Sequence, residues 1–198
     1  MPRVKHTKNE LKAQRDALKR FERYLPTLQL KKQQLQMEVR RLEAQIEQKK
    51  GEEDKLREAM KTWIRLFADP FPFGQYLRLA EVRSSEGNIA GIAIPVLEEV
   101  RFERKVPDLF LTPAWLDDGL ETIEQLLRLR IERRILDEQH RLLAEELRIT
   151  SQRVNLFEKV KIPECGENIR VIRIFLGDEQ TADVVRGKIA KGRSMKAA

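Results

Sequence analysis

The segment of this sequence that most resembles a chemical site is GKIAKGRS, residues Gly187–Ser194. It follows the spacing Gly-x4-Gly-[Lys/Arg]-[Ser/Thr] of a phosphate-binding loop. A P-loop needs lysine at the position held by Arg193, and it must follow a strand and open a helix. Neither condition is met, so we predict no nucleotide site here.

The remaining residues that could do chemistry are isolated. His6 and His140 have no partner at metal-ligand spacing, and neither does the single cysteine, Cys165. The carboxylates alternate with Lys and Arg in the manner of solvated helix faces, and no acid/base pair stands out. We therefore predict no catalytic residue, no metal and no cofactor, and we do not expect an enzyme in its own right.

The positive charge is concentrated at the two ends of the chain. Residues 1–23 carry a net charge of +5 and residues 184–198 another +5, whereas the segment between them has a net charge of −3. A basic patch is also the first sign of nucleic-acid binding. However, these ends contain few aromatic residues for base stacking and no recognised reading motif.

The composition favours long helices over a thick globular core. Charged residues make up 36% of the chain and aromatic residues only 6%, a mix typical of coiled coils. No apolar run has the length of a membrane span, and the first residues lack the apolar block of a secretory signal. A single cysteine fits a reducing compartment. We expect the protein to be cytoplasmic.

The first long element is a heptad helix. Positions a and d, counted from Leu11, are apolar at thirteen of seventeen places between Leu11 and Phe67, which predicts a coiled coil. Thr7 and Glu10 have the spacing of a capping box at its start. The seam residues predicted from both helices include Leu11, Leu18, Leu25, Leu28, Leu35, Leu42, Val154, Phe157, Ile169 and Ile172.

Glycine and proline are enriched from residue 70 to residue 113, which marks a different element. The segments YLRLAEVR, SSEGN and IAGIAIPVLEEVRF predict two or three short strands with a glycine-containing turn. Pro95 predicts an edge strand, or a strand end at that point. A second long helix is then predicted from the N-cap Thr112 and from Pro113 at its first position.

Two apolar seams separated by a small insertion predict a mainly α fold. We expect a long, bent, antiparallel two-helix coiled coil, with a β-hairpin inserted between the helices. The predicted parts are an N-terminal helix at 1–69, the insertion at 70–112, a C-terminal helix at 113–191 and a basic, disordered tail at 192–198. Antiparallel pairing would bring both basic ends together.

Three residues could shape this rod. Pro26 is predicted to lie opposite the neighbourhood of Lys159, within about two helical turns of Pro163, and Gly166 follows closely. Prolines at nearly one height would bend both helices together. Alternatively, each proline is an independently tolerated kink.

Three separated segments resemble one known family. RVNLFEKVKIPECGENIRVI, with Arg153–Glu158, Ile162, Pro163 and Ile169, resembles the C-terminal signature of the D subunit, the central shaft of rotary V/A-type ATPases. HTKNELKAQRDAL resembles the family's opening, and NIAGIAIP, Asn88–Pro95, its hairpin strand. YLPTLQLKKQQLQ and Cys165-Gly166 depart from the common pattern and look like those of a bacterial branch.

The resemblance implies a central rotor stalk that passes torque between an ATP-hydrolysing or ATP-synthesising hexamer and an ion-translocating membrane ring. The implied partners are the A and B subunits of the hexamer, the small F subunit of the central stalk and a funnel-shaped subunit above the ring, with one copy of the shaft on the cytoplasmic face of the membrane. A generic coiled-coil scaffold and a basic nucleic-acid-binding protein are the alternatives. For a shaft, the residues expected to face the hexamer as a basic tip are Arg3, Lys5, Lys8, Arg186, Lys188, Lys191 and Arg193.

Overall fold

A computed structural model of the protein describes residues 4–63, 65, 71–108, 110 and 112–197. It consists of two long helical arms and a β-hairpin between them, as the sequence predicts. The elements in chain order are α1 (Lys8–Met60), the short helix α2 (Phe73–Tyr76), β1 (Leu77–Ile89), β2 (Ile92–Arg104), α3 (Leu116–Leu156), a π-helical turn (Phe157–Lys161) and α4 (Ile162–Ala197).

Helix α1 begins at the predicted cap. The Glu10 backbone N–H donates to Thr7 Oγ1 at 3.2 Å, which satisfies one of the free N–H groups of the first turn. The Glu10 carboxylate does not return to Thr7 but accepts from Gln14 Nε2. Only half of the predicted capping box is therefore formed.

The far end of α1 comes earlier than the heptad pattern predicts. The helix ends at Met60, where Lys61 and Trp63 donate to carbonyls three residues back, those of Glu58 and Met60. Such tighter bonds commonly finish an α-helix. Phe67 and Pro70, which the sequence places near this boundary, lie outside the described residues.

The hairpin has two long strands where the sequence predicts short ones. Each strand has 13 residues, and Ser84–Asn88 belong to β1. The turn is Ala90–Gly91, both at positive φ, the conformation that matches strand twist in a two-residue hairpin. Asn88 Oδ1 accepts from the Gly91 N–H at 3.0 Å. Pro95 lies in β2 opposite Glu86, and in a two-stranded sheet both strands are edges.

The second arm begins three residues after the predicted first position. The Thr112 hydroxyl donates to the Asp108 carbonyl, so it does not cap a helix, and Pro113 and Leu116 close a separate turn. Helix α3 follows from Leu116. At the other end, α4 continues through Gly192 to Ala197, where the sequence predicts a disordered tail.

The chain divides into two compact units, Gln33–Arg148 and Met1–Lys32 with Ile149–Ala198. The first unit buries Leu35, Val39 and Leu42 of α1 against Leu143 of α3 and Ile94 of the hairpin. A second cluster joins Leu77 to Leu116 and Leu120, with Phe71 and Trp115 beside it. The hairpin is thus packed along the helices at both its base and its tip.

The second unit contains the two arm ends in antiparallel contact. The rings of Phe21 and Phe157 lie 4.9 Å apart, and those of His6 and Phe175 lie 4.8 Å apart. As the residue number rises along α1 it falls along the opposite arm, which is the predicted pairing. No helix among the described residues has the length and apolarity needed to span a membrane.

We predict that Leu143→Ala destabilises the Gln33–Arg148 unit by about 2–5 kcal/mol, because Leu143 is fully buried between α1 and the hairpin. Urea unfolding followed by circular dichroism measures the change. Met37→Ala is the control, since Met37 lies on α1 of the same unit but is 63% exposed; it should cost less than about 0.5 kcal/mol. Equal effects of the two substitutions would contradict this packing.

Candidate functional site

The described residues contain no cluster of metal-ligating side chains, and the candidate functional features are the helix seam, its shaping residues and its basic end. The seam residues predicted from the sequence occupy the inward positions of the arms. Leu35, Leu42, Val154, Ile169 and Ile172 are buried. The remaining five are half-buried: Leu11, Leu18, Leu25, Leu28 and Phe157.

A buried carboxylate interrupts the apolar seam within Gln33–Arg148. Glu53 is only 1% exposed, and both of its oxygens are bound by arginines. Arg130 Nε donates to Oε1 at 3.1 Å and Arg133 Nη1 to Oε2 at 2.5 Å, both from α3. Arg57 of α1 also donates to Oε1. Because a buried carboxylate is costly without such donors, α1 and α3 are held at one position along their lengths.

Two further polar seam positions also find partners on the opposite arm. Lys49 Nζ lies 2.9 Å from a Glu132 oxygen, and this hydrogen bond is the main reason that the pKa of Lys49 is raised above its usual value. The pair therefore stabilises the fold below the ordinary lysine pKa, and it is lost as the pH rises through the raised value. In the other unit, Asn168 Nδ2 donates to Gln14 Oε1 at 3.5 Å.

The winding of the second arm changes near Pro163 without interrupting the helix. Ile162 N–H donates to the Phe157 carbonyl, five residues back, which makes Phe157–Lys161 a π-helical turn. Pro163 follows directly as the second residue of α4, and it donates no backbone hydrogen bond. Pro26 lies inside the continuous helix α1. Gly166 is helical, and a Cβ there would meet no atom within 4 Å.

The predicted position of Pro26 relative to the second arm needs a correction. The contacts Phe21–Phe157 and Gln14–Asn168 place Pro26 opposite the segment 152–156, about one turn from the predicted neighbourhood of Lys159. Along the paired helices, the π-helical turn lies between the positions of Pro26 and Pro163. All three features fall within about two to three helical turns. The sequence contains the prolines but no pattern that predicts the π-helical turn.

The basic residues do not gather at one point. Lys8 lies with His6 beside Glu179 and Asp183 in a shallow groove near the start of α1, and Lys5 is exposed close by. Further along α4, Lys188, Lys191 and Arg193 are exposed and have no ion pair to a described residue, whereas Arg186 pairs with Asp183 at 3.0 Å. From Phe175 to Lys188 the helix rises about 20 Å. Arg3 lies outside the described residues.

The polar seam contacts are the functional features that sequence reasoning missed. Lys49 and Glu53 occupy a or d positions of the heptad, and that mismatch was the available signal. A polar residue in an apolar seam often specifies register, at a cost in stability. The seam pattern alone does not identify Arg130, Arg133 and Glu132 as the partners, since the opposite arm carries many charges.

We predict that Glu53→Gln destabilises the protein by about 1–3 kcal/mol, because the amide leaves its arginines without a charged acceptor. Thermal unfolding of the purified chain measures the change. Asp54→Asn is the matched control: it removes one negative charge at the next position, where the side chain is exposed, and it should be near neutral. Two substitutions of equal effect would mean that Glu53 has no special role.

We predict slow chemical labelling of Cys165. Its side chain is 5% exposed, and burial raises the pKa of its thiol above the ordinary value, with a smaller contribution from Glu164. Because the thiolate is the reactive form, a thiol reagent should react about tenfold or more slowly with the folded chain than with the urea-unfolded chain. The sequence has no other cysteine, so the rate reports this site alone. Equal rates would show that the seam is open at this position.

The chain is similar to known proteins over nearly its whole length. A family model described as the ATP synthase D subunit matches residues 10–192. A V-type ATP synthase D subunit of Borreliella burgdorferi (strain ATCC 35210 / DSM 4680 / CIP 102532 / B31) is 50% identical over 196 residues, which cover 99% of this chain and 97% of that protein. One of Chlamydia pneumoniae is 35% identical over 191 residues, which cover 95% and 91%. The chain belongs to the family of V-type ATP synthase D subunits.

Proposed function

We propose that this chain is the central rotor stalk of a V/A-type ATPase or ATP synthase. In this role it carries torque between the A/B hexamer, which hydrolyses or synthesises ATP, and the membrane ring, which moves ions. One copy works on the cytoplasmic face of the membrane, and it is not catalytic itself. Its partners are the A and B subunits, the F subunit of the central stalk and the funnel-shaped subunit above the ring.

The locked seam is the observation that supports this role most directly. A shaft under torque must not let its two helices slide past each other. The buried contacts of Glu53 with Arg130 and Arg133 oppose such sliding, since moving one helix by a turn would leave a carboxylate buried without its donors. Gln14 with Asn168 forms a weaker contact of the same kind near the other end of α1.

The second requirement of a shaft is asymmetry, and the winding change near Pro163 supports it. A straight symmetric rod would present the same surface to every catalytic site around it. Prolines and π-helical turns are the usual causes of local bends in helices, and the chain has both between Pro26 and Pro163. We propose that Pro26, Pro163 and Gly166 shape this part of the shaft for contact with the hexamer.

The end of α4 has the surface expected of a bearing. Lys188, Lys191 and Arg193 are exposed and free of ion pairs to the described acidic residues. Unpaired surface charges attract an acidic wall over about 10 Å without fixed bonds. We propose that these residues, with Arg3, Lys5, Lys8 and Arg186, face the inner surface of the hexamer, and that the 70–112 insertion faces the membrane side.

Purification from native membranes tests the assignment. We expect the chain to co-purify as one copy with a nucleotide-hydrolysing hexamer. A homo-oligomer without that hexamer would favour the scaffold alternative, and binding to nucleic acid that weakens steeply with salt would favour the nucleic-acid alternative. Either result would overturn the rotor assignment.

We predict that replacing Lys188, Lys191 and Arg193 together with glutamate weakens binding of the hexamer by about tenfold at low salt and impairs coupled rotation. Binding of the purified hexamer to the stalk and single-molecule rotation measure the two effects. A control replaces Lys50, Lys55 and Lys61, three lysines of the other unit, with glutamate to match the change in net charge. Unaltered binding and rotation in the first variant would mean that the end of α4 is not a bearing.

A further inference from the structure

A groove with arginines along its wall runs between β1 and α3. Its apolar floor is formed by Leu79 of the strand and by Leu127 and Ile131 of the helix, and Arg130 and Arg134 stand along its wall. Its volume is about 400 Å³. Leu79 is 44% exposed, and its neighbours along much of β1 are exposed as well. The floor therefore offers apolar surface to a further molecule.

The groove is held in shape by contacts beneath it. Arg130 and Arg133 are both tied to the buried Glu53 carboxylate, so their guanidinium groups are positioned before any partner arrives. Leu127, Ile131 and Arg134 follow at helical spacing on the same side of α3. A surface built from fixed side chains loses less entropy on binding than one built from mobile side chains.

The charge of the groove is positive. Arg130, Arg133 and Arg134 line it together with one acidic residue, Asp137. The three arginines still outnumber the two carboxylates when the buried Glu53 is included with Asp137, so the net charge is positive. Arg134 is exposed, and no described acidic residue lies within ion-pair distance of it. This guanidinium is available to a carboxylate of another molecule.

A second groove beside the hairpin has a lining in which acidic residues outnumber basic ones. It lies between β2 and α3 and is lined by Leu97, Val100 and Arg128 with three acidic residues, Glu98, Glu99 and Glu132. The two grooves share the same helix and flank the same hairpin. In the second groove Glu132 is paired with Lys49 and Glu99 with Arg101, whereas Glu98 has no ion pair to a described residue, so a free arginine marks one groove and a free carboxylate the other. A partner with acidic side chains is thus directed to the β1 side, because like charges placed together weaken binding to the wrong surface.

We propose that the groove between β1 and α3 is the docking site of an acidic, amphipathic segment of a protein partner. Carboxylates of that segment bind Arg134 and the outer faces of Arg130 and Arg133, and its apolar side chains cover Leu79, Leu127 and Ile131. The partner is a different polypeptide of the rotary complex, so the inference rests on the proposed function. It adds the surface that is used and the chemistry of the segment that fits it.

Site-specific cross-linking in the assembled complex tests the proposal. A photoreactive amino acid is introduced at Leu79, and separately at Leu97 as the control on the acidic side of the hairpin. After irradiation, mass spectrometry identifies the attached peptide. We expect the Leu79 probe to capture a peptide of another polypeptide of the complex in which acidic residues alternate with apolar ones, and the Leu97 probe not to capture that peptide. Capture of a basic peptide, of a second copy of this chain, or of nothing at Leu79 would overturn the proposal.

Charge reversal gives a second, independent readout. Arg134→Glu should weaken binding of the captured partner by about fivefold at low salt, and the effect should shrink as salt is raised. Arg134 is chosen because it has no part in holding Glu53, so the fold should be unaffected. Glu98→Lys, an exposed position in the other groove, should not weaken binding. Equal losses in both variants would contradict the proposal.

The two proposals can fail separately. If the wild-type chain does not assemble with a nucleotide-hydrolysing hexamer, the rotor assignment fails. If the chain assembles normally while Arg134→Glu changes nothing and Leu79 captures no acidic segment, the rotor assignment survives and the groove proposal fails.

Discussion

Helices α1 and α3 can pair only in the register that brings the Glu53 carboxylate to its arginines, and the hairpin and the groove beside β1 depend on that register. An apolar seam alone tolerates sliding, because leucine packs nearly as well one turn further along. A buried carboxylate does not, since its cost is offset only where Arg130, Arg133 and Arg57 reach both oxygens. The register of α1 against α3 is therefore set by charge as well as by apolar burial. The same contacts hold two of the arginines that line the groove beside β1.

The hairpin depends on that pairing in turn. Its tip is buried by residues of both helices, with Ile94 against Leu35, Val39, Leu42 and Leu143. Gln139 Nε2 donates to the Pro95 carbonyl at 2.5 Å, which uses a backbone acceptor of the strand. At the base, Arg104 pairs with Asp117 at the start of α3. A two-stranded hairpin is marginal in water by itself, so these contacts to the helices keep its 13-residue strands in place.

The sequence predicts most of this architecture and misses particular details for physical reasons. The heptad repeat and the Gly/Pro-rich interval predict two helices and a hairpin because each pattern extends over many residues, so no single residue decides it. The end of α1 at Met60, the start of α3 at Leu116 and the length of the strands depend on single hydrogen bonds, such as that from Thr112 to Asp108. Single hydrogen bonds of this kind produce no repeating pattern in the sequence. The partners of Glu53 could not be predicted for a related reason. The heptad pattern shows that a polar residue occupies a seam position, but the register of α1 against α3 decides which arginines contact it.

Pro163 shows how a helix breaker can coexist with a continuous rod. In an α-helix the proline ring would crowd the carbonyl four residues back, and its missing N–H would leave a bond unmade. The π-helical turn Phe157–Lys161 widens the backbone just ahead of it, and Ile162 bonds instead to the Phe157 carbonyl. The helix then resumes with proline in its first turn. The change of winding keeps backbone hydrogen bonds on both sides of the proline, and a loop at the same place would lose them. A helix breaker is thus accommodated in this arm without a break in the helix.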